Sequence, residues 1–234
     1  TDPALAGCRL GALCGTASTR VRVQPDLQAA LGGRAADVAV LSTVSGLEAI
    51  ERQLKPLARA GLHVVSTCEE LAYPWKTRPR IAHRIDRLCR RHGVVCLGTG
   101  VNPGFVMDLL PVVATGVSAK VERIYAERVV DAATRRGPLQ KKVGSGLAPD
   151  EFKARFDRGE AGHAGFQESA ALIAHAMGWP WDQLEETLEP VVAERPIKTE
   201  HVTVEPGQTR GLHQVCKAYA GGEAVIHRDL VMAL

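Results

Sequence analysis

The amino-acid sequence predicts an α/β fold in its first half, built on a parallel sheet, and an α+β second half with a mostly antiparallel sheet. Three observations lead there. Residues 37–75 run as strand, crossover helix and strand; a further helix and apolar strand follow to Leu97. Strands linked through helices in this way pair in parallel with right-handed crossovers. After about residue 112 the pattern changes to alternating strands, the last two joined by Gly221-Gly222 as in a tight hairpin. A boundary is expected there, giving domains 1–112 and 113–234.

Taken in order, residues 1–36 are rich in Gly and Ala and read as turns, short helical pieces and a loop, with Asp2-Pro3 as a helix entry. Val38–Leu41 is a short apolar strand of the kind buried between two helical layers. Ser45 is placed to cap a helix over residues 46–60, whose Leu47, Ile50, Leu54 and Leu57 recur at helical spacing. Gly61 ends it. The second strand, Leu62–Val65, stops in Ser66, Thr67, Cys68, Glu69 and Glu70. Pro74 and Pro79 break any helix before Arg80–His92, which carries Ile81, Ile85, Leu88 and Cys89 on one face and a basic outer face. Gly93 caps it, and Val94–Leu97 is the third strand.

Phe105–Ala114 reads as a helix interrupted by Pro111, Lys120–Val130 as a half-exposed strand, and Arg135–Gly146 as a Gly-rich basic loop. Two helices follow, Asp150–Arg158 and Phe166–Met177. Val191–Ala193, Lys198–Val204, Gly211–Ala220 and Glu223–Ala233 read as strands.

Composition narrows the class. The 234 residues are 45% apolar, enough for a real core, and the formal charge is only +3, with basic residues scattered along helices. That argues against a nucleic-acid partner. No apolar run approaches the roughly 20 residues that span a bilayer, and nothing at the start resembles a signal peptide, so a cytoplasmic protein without a membrane partner is expected. Six cysteines show neither C-x-x-C spacing nor a disulfide-dense framework, so reduced thiols are expected and no metal motif is present. The chain opens without Met and closes inside a strand, and reads as a fragment.

Two strings carry a family resemblance: Val64-Val65-Ser66-Thr67-Cys68-Glu69-Glu70-Leu71-Ala72-Tyr73-Pro74-Trp75 and Gly98-Thr99-Gly100-Val101-Asn102-Pro103-Gly104-Phe105. They resemble the 2,4-diaminopentanoate dehydrogenase and native amine dehydrogenase family. Arg135-Arg136, Lys142–Gly146 and Gly162–Phe166 look like that family's substrate-domain segments. Such enzymes are similar in fold to dihydrodipicolinate reductases, so the resemblance implies a Rossmann-type dinucleotide-binding domain followed by a substrate-binding and dimerisation domain. It also implies reversible, NAD- or NADP-dependent oxidative deamination of an amine, with a homodimer as the expected assembly.

Two departures stand out. The G-x-G-x-x-G loop is absent, so the first βα unit of the Rossmann sheet is expected to be missing, and the resemblance implies that Asp2 falls near where an acid would hold the adenosine ribose. The reductases' basic Ser-Gly-Thr substrate loop is also unmatched; Arg135–Gly146 stands in its place.

Deamination needs a base to take a proton from the ammonium and later from the attacking water. Glu69 and Glu70 lie just past a parallel strand, where ligands bind in such sheets, so one is the expected base and the other a helix-capping acid; the sequence does not say which. The alternative is that both are first-turn acids favoured by the helix dipole. Ser42, Thr43 and Thr67 are expected to meet the cofactor, or else to cap locally. Asn102, Pro103 and Gly104 are expected at the nicotinamide, with an ordinary helix cap as the alternative. Phe105, Met107 and His163 are the substrate-side candidates, against core positions for the first two and a surface loop for the third. Two rival functions remain: a dihydrodipicolinate reductase-like imine reductase, and a nucleotide-binding module without turnover.

Overall fold

The fold is seen in a computed structural model, which describes residues 2–16, 19, 21–32 and 36–234. Contacts divide the chain into two compact units, residues 1–39 and 40–234. The first holds a 3-10 turn over Pro3–Leu5 and two short helices, α1 (Leu10–Leu13) and α2 (Leu27–Leu31). Asp2 caps the 3-10 turn by accepting from Ala4 N at 2.9 Å, and Asp26 caps α2 through Ala29 N at 2.8 Å.

Strand β1 (Val38–Leu41) begins a three-stranded sheet of order β1-β2-β3, with β2 at His63–Ser66 and β3 at Cys96–Gly98, the last two parallel. Helix α3 (Leu47–Arg59) connects β1 to β2, and α4 (Pro79–His92) connects β2 to β3. Leu47, Ile50 and Leu54 of α3 are at most 1% exposed, and Ile81, Ile85 and Cys89 of α4 are buried too. Each such side chain contributes roughly 1.5–3 kcal/mol by leaving water. Gly93 ends α4 in the left-handed region, φ 64°, where a Cβ would be strained.

The expectation of strands buried on both faces is corrected. Val40, Val95 and Leu97 are 73%, 63% and 54% exposed. The strand order advances in one direction, so right-handed crossovers put α3 and α4 on the same face.

Beyond β3, a run of turns leads to α5 (Leu109–Ala114), not to a helix from Phe105, because Asp108 caps it through Leu109 N at 2.7 Å. The second sheet has the order β4-β9-β8-β5, with β4 at Ile124–Asp131, β5 at Gln183–Val192, β8 at Thr209–Ala220 and β9 at Glu223–Ala233. It is mixed: β4 runs parallel to β9, while β5/β8 and β8/β9 are antiparallel. Gly221 and Gly222 make the β8–β9 turn, both at positive φ.

Three helices accompany this sheet: α6 (Gly137–Lys142), α7 (Pro149–Asp157) and α8 (Phe166–Met177). Phe152, Phe166, Ile173, Leu212, Ile226 and Leu230 form the core between them. Helix α6 lies inside what reads as a basic loop. Strand β5 begins at Gln183 and not at Val191 because an edge strand tolerates the Glu and Pro residues that disguise it. The expected strand Lys198–Val204 is instead a two-residue ladder, β6 (Ile197–Lys198) with β7 (Thr203–Val204), broken by a turn held on the Thr199 hydroxyl. Among the described residues, no helix is long and apolar enough to cross a membrane.

Candidate active site

The loops leaving β1, β2 and β3 are laced together by their main chains. Thr67 N donates to Leu41 O at 2.9 Å, and Thr99 N to Ser66 O at 2.8 Å. Glu70 N and the Cys68 thiol both donate to Ser45 O, at 3.2 and 3.1 Å. These bonds fix the turn that carries the two glutamates and separate their roles. The N-cap of α3 is Gly46, which has no side chain to offer, so Ser45 does not cap the helix as expected. Glu70 Oε2 accepts from Leu47 N at 2.7 Å and does so instead, from 23 residues ahead. Glu69 makes no side-chain hydrogen bond among the described residues and lines a cavity of about 480 Å³.

The same cavity is lined by four basic residues: Arg128 from β4, Arg135 and Arg136 before α6, and Lys142 at its end. Burial, with Arg135 nearby, pulls the Arg128 pKa down from its ordinary value. Glu69 is the sole acid among the described lining residues.

His163 lines the cavity as well. Its N donates to Gln214 Oε1 at 2.7 Å, its carbonyl accepts from Gln214 Nε2 at 3.2 Å, and Nδ1 lies 3.0 Å from Ala164 O. Burial pushes its pKa down to about 4, so the imidazole is neutral near pH 7. Gly165 completes this loop at φ 74°; a Cβ there would sit 2.5 Å from Glu69 O, so only glycine lets the loop approach the Glu69 turn so closely.

Asn102 also lines the cavity. Its Oδ1 accepts from Arg228 Nη2 at 3.1 Å, while its buried Nδ2 has no partner among the described residues. Arg228 is fully buried, donates to Met107 O at 3.2 Å and Phe166 O at 2.7 Å, and stacks 4.1 Å from the Phe166 ring centroid. Desolvation lowers its pKa to about 10, still far enough above neutrality to keep the charge. Asp108, also fully buried, accepts from Gly104 N at 2.8 Å and from the Ser169 hydroxyl, and so ties this loop to α8.

The structure therefore brings Glu69, Asn102 and His163 to one cavity, with the Asn102-Pro103 peptide in the cis form. Pro103 is buried and Gly104 half-buried beside it. Ser42 and Thr67 are exposed at strand ends; Thr43 is exposed with its hydroxyl on Gln53 Oε1. Phe105 is 49% exposed and Met107 lies in the core at 1%, and neither lines the cavity. Asp2 belongs to the other unit, with one carboxylate oxygen on its cap. Sequence reasoning missed Arg228, Asp108, Gln214 and Arg128, whose strand or loop positions look ordinary until the chain closes around them.

With this geometry in hand, the chain can be compared with known proteins. Residues 105–230 match the family described as the 2,4-diaminopentanoate dehydrogenase C-terminal domain. The chain belongs to that family. A 2,4-diaminopentanoate dehydrogenase of Acetoanaerobium sticklandii is 34% identical over 198 residues, covering 84% of this chain but 56% of that relative. The chain thus spans little more than half the length of the curated relative it matches. An amine dehydrogenase from Mycobacterium smegmatis superposes with a TM-score of 0.87 at 19% identity, over all of this chain and 70% of that one. A biliverdin reductase from Synechocystis sp. PCC 6803, bound to biliverdin and NADP+, gives a TM-score of 0.50 at 14% identity, over 95% and 59%. At such identities these two structures establish the fold alone.

Proposed function

We propose that the protein is an NAD- or NADP-dependent amine dehydrogenase that reversibly deaminates an amine to a carbonyl compound, with Glu69 as its general base. One observation carries the reading: among the described residues lining one cavity, Glu69 is the sole acid, without a side-chain hydrogen bond, and it shares that lining with Arg128, Arg135, Arg136 and Lys142. An amine bearing an acidic group fits this lining, its ammonium on Glu69 and its anion on the guanidinium groups. The named activities of the relatives point the same way.

The residues present suit a nicotinamide cofactor. Asn102 Nδ2, a buried donor without a partner among the described residues, matches a carboxamide oxygen. Pro103 and Gly104 beside it, with Ser42, Thr43 and Thr67 at the strand ends, would hold the cofactor. When bound, the nicotinamide supplies the acceptor for the hydride leaving the amine-bearing carbon. Glu69 takes the proton that frees the nitrogen lone pair, releases it to solvent, and then takes one from the attacking water as the carbonyl product forms and ammonia leaves. His163, neutral near pH 7, hydrogen-bonds substrate without repelling its ammonium. Phe105 and Met107 contribute at most through the loop and core that carry them.

The division near residue 112 separates cofactor and substrate functions. A homodimer forms through the open face of the four-stranded sheet, where Tyr125 and Val129 are 56% and 71% exposed. Six free cysteines fit a reducing cytoplasm.

The test is formation of NADH or NADPH by the full-length protein on addition of short amines and amino acids. Amine-dependent reduction supports the reading. Reduction of a cyclic imine without ammonia, or nucleotide-dependent stabilisation without turnover, replaces it with one of the two rivals.

A further inference from the structure

Arg228 sits in β9, flanked in the ladder by Ala126 of β4 and Cys216 of β8, whose small side chains leave room for a guanidinium on that face of the sheet. Its three bonds all go to neutral oxygens: Nε to Met107 O, Nη1 to Phe166 O and Nη2 to Asn102 Oδ1. Asp108 and Glu186 lie near enough to favour its charge, but among the described residues neither accepts a hydrogen bond from it. The Asp108 oxygens are taken by Gly104 N, Leu109 N and the Ser169 hydroxyl. A charge at 0% exposure is costly, and an apolar side chain of similar length would fill the space without that cost. What it would not supply is the three bonds.

Two of those bonds hold main chain, at Met107 and at the start of α8. The third sets the polarity of a side chain. Guanidinium nitrogens only donate, so Asn102 must turn Oδ1 towards Arg228 and keep Nδ2 away from it. An amide left to itself exchanges its oxygen and nitrogen by a half-turn about a soft torsion. Here the guanidinium is fixed by two carbonyls and by the Phe166 ring, so the amide is fixed with it. Nδ2, buried and without a partner among the described residues, is then the one polar side-chain atom that Asn102 has left for a ligand of the cavity it lines.

We propose that Arg228 is a positioning residue: by taking Oδ1 of Asn102 it makes this part of the cavity a hydrogen-bond donor, selective for a carbonyl oxygen such as that of the nicotinamide carboxamide. The proposal rests on the nicotinamide-dependent dehydrogenase reading.

Asn102→Asp is the discriminating variant, because it keeps an oxygen for Arg228 and replaces the Nδ2 donor by a second oxygen that opposes a carbonyl. The probes are NAD+ and NADP+, each beside ADP-ribose or 2′-phospho-ADP-ribose, which lacks only the nicotinamide. In calorimetric titrations of the full-length protein, Asn102→Asp should weaken the dinucleotide by about tenfold or more and leave the matched ADP-ribose within about twofold. Its melting temperature should hold, since the new carboxylate pairs with Arg228; a buried carboxylate without that partner would lower it by roughly 6 °C or more. Arg228→Met, which lets the amide turn, should lower the dinucleotide-to-ADP-ribose affinity ratio by about threefold or more. An unchanged ratio in either folded variant, an equal loss of both ligands, or a fall of that size in the Asn102→Asp melting temperature overturns the proposal. If Arg228→Met does not fold, Asn102→Asp decides by itself. Failure of both dinucleotides to bind the wild type defeats the dehydrogenase reading, whereas a dinucleotide that binds wild type and Asn102→Asp alike defeats the positioning role alone.

Discussion

Glu69 and Glu70 are adjacent in sequence and chemically identical, so exchanging each for glutamine isolates what position alone does. Glu70 Oε2 sits 2.7 Å from Leu47 N and holds the start of α3. Glutamine keeps an acceptor there but loses the charge, which costs about 0.5–1 kcal/mol of helix capping. For a chain of this size that lowers the melting temperature by roughly 1–4 °C. Glu69 has no such bond and faces the cavity, so Glu69→Gln should leave the melting temperature near wild type. Its effect falls on the rate: loss of a general base lowers kcat by roughly 10²–10⁴, or about 3–5 kcal/mol of barrier. Amine-dependent NADH or NADPH absorbance, read beside thermal melts of the same samples, separates the two effects. If Glu69→Gln retains the wild-type rate, or Glu70→Gln is the variant that loses it, the assignment of the base is wrong.

Two further predictions follow from the same region. Gly165→Ala places a Cβ against Glu69 O and 2.8 Å from Pro103 Cγ at a left-handed φ, and should cost about 1–3 kcal/mol in urea unfolding while also lowering kcat, because the relief is to push the Glu69 turn away; an unchanged midpoint would contradict the close approach. His163, held near pKa 4, makes the fold lose stability as pH falls from about 6.5 to about 4, since over that window the unfolded chain binds a proton that the folded chain refuses; His163→Gln should flatten the decline, seen as a smaller drop in urea midpoint between about pH 7 and about pH 4.5.

Much of the architecture is written in local pattern. The apolar spacing of Leu47, Ile50, Leu54 and Leu57, the left-handed glycine after His92 and the glycine pair between β8 and β9 each report on residues a few positions away, and each has its counterpart in the fold. What misleads is also local. Strand β5 hides because acids and Pro190 suit an edge, and being an edge is a property of the whole sheet.

The site divides along the same line. Sequence by itself determined that two carboxylates follow the second strand, that an Asn-Pro-Gly turn follows the third, and that both belong to one sheet edge, because residues at the ends of neighbouring parallel strands are brought together by the ladder alone. Tertiary structure decided which carboxylate is free. That depended on a backbone N–H 23 residues away, at a helix whose own N-cap is a glycine. It decided as well that Arg228, 126 residues from Asn102, would anchor that turn, and that Glu168 would be buried. Hydrogen-bond partners and desolvation are set by whatever the folded chain brings within a few ångströms, and spacing along the sequence carries no record of it.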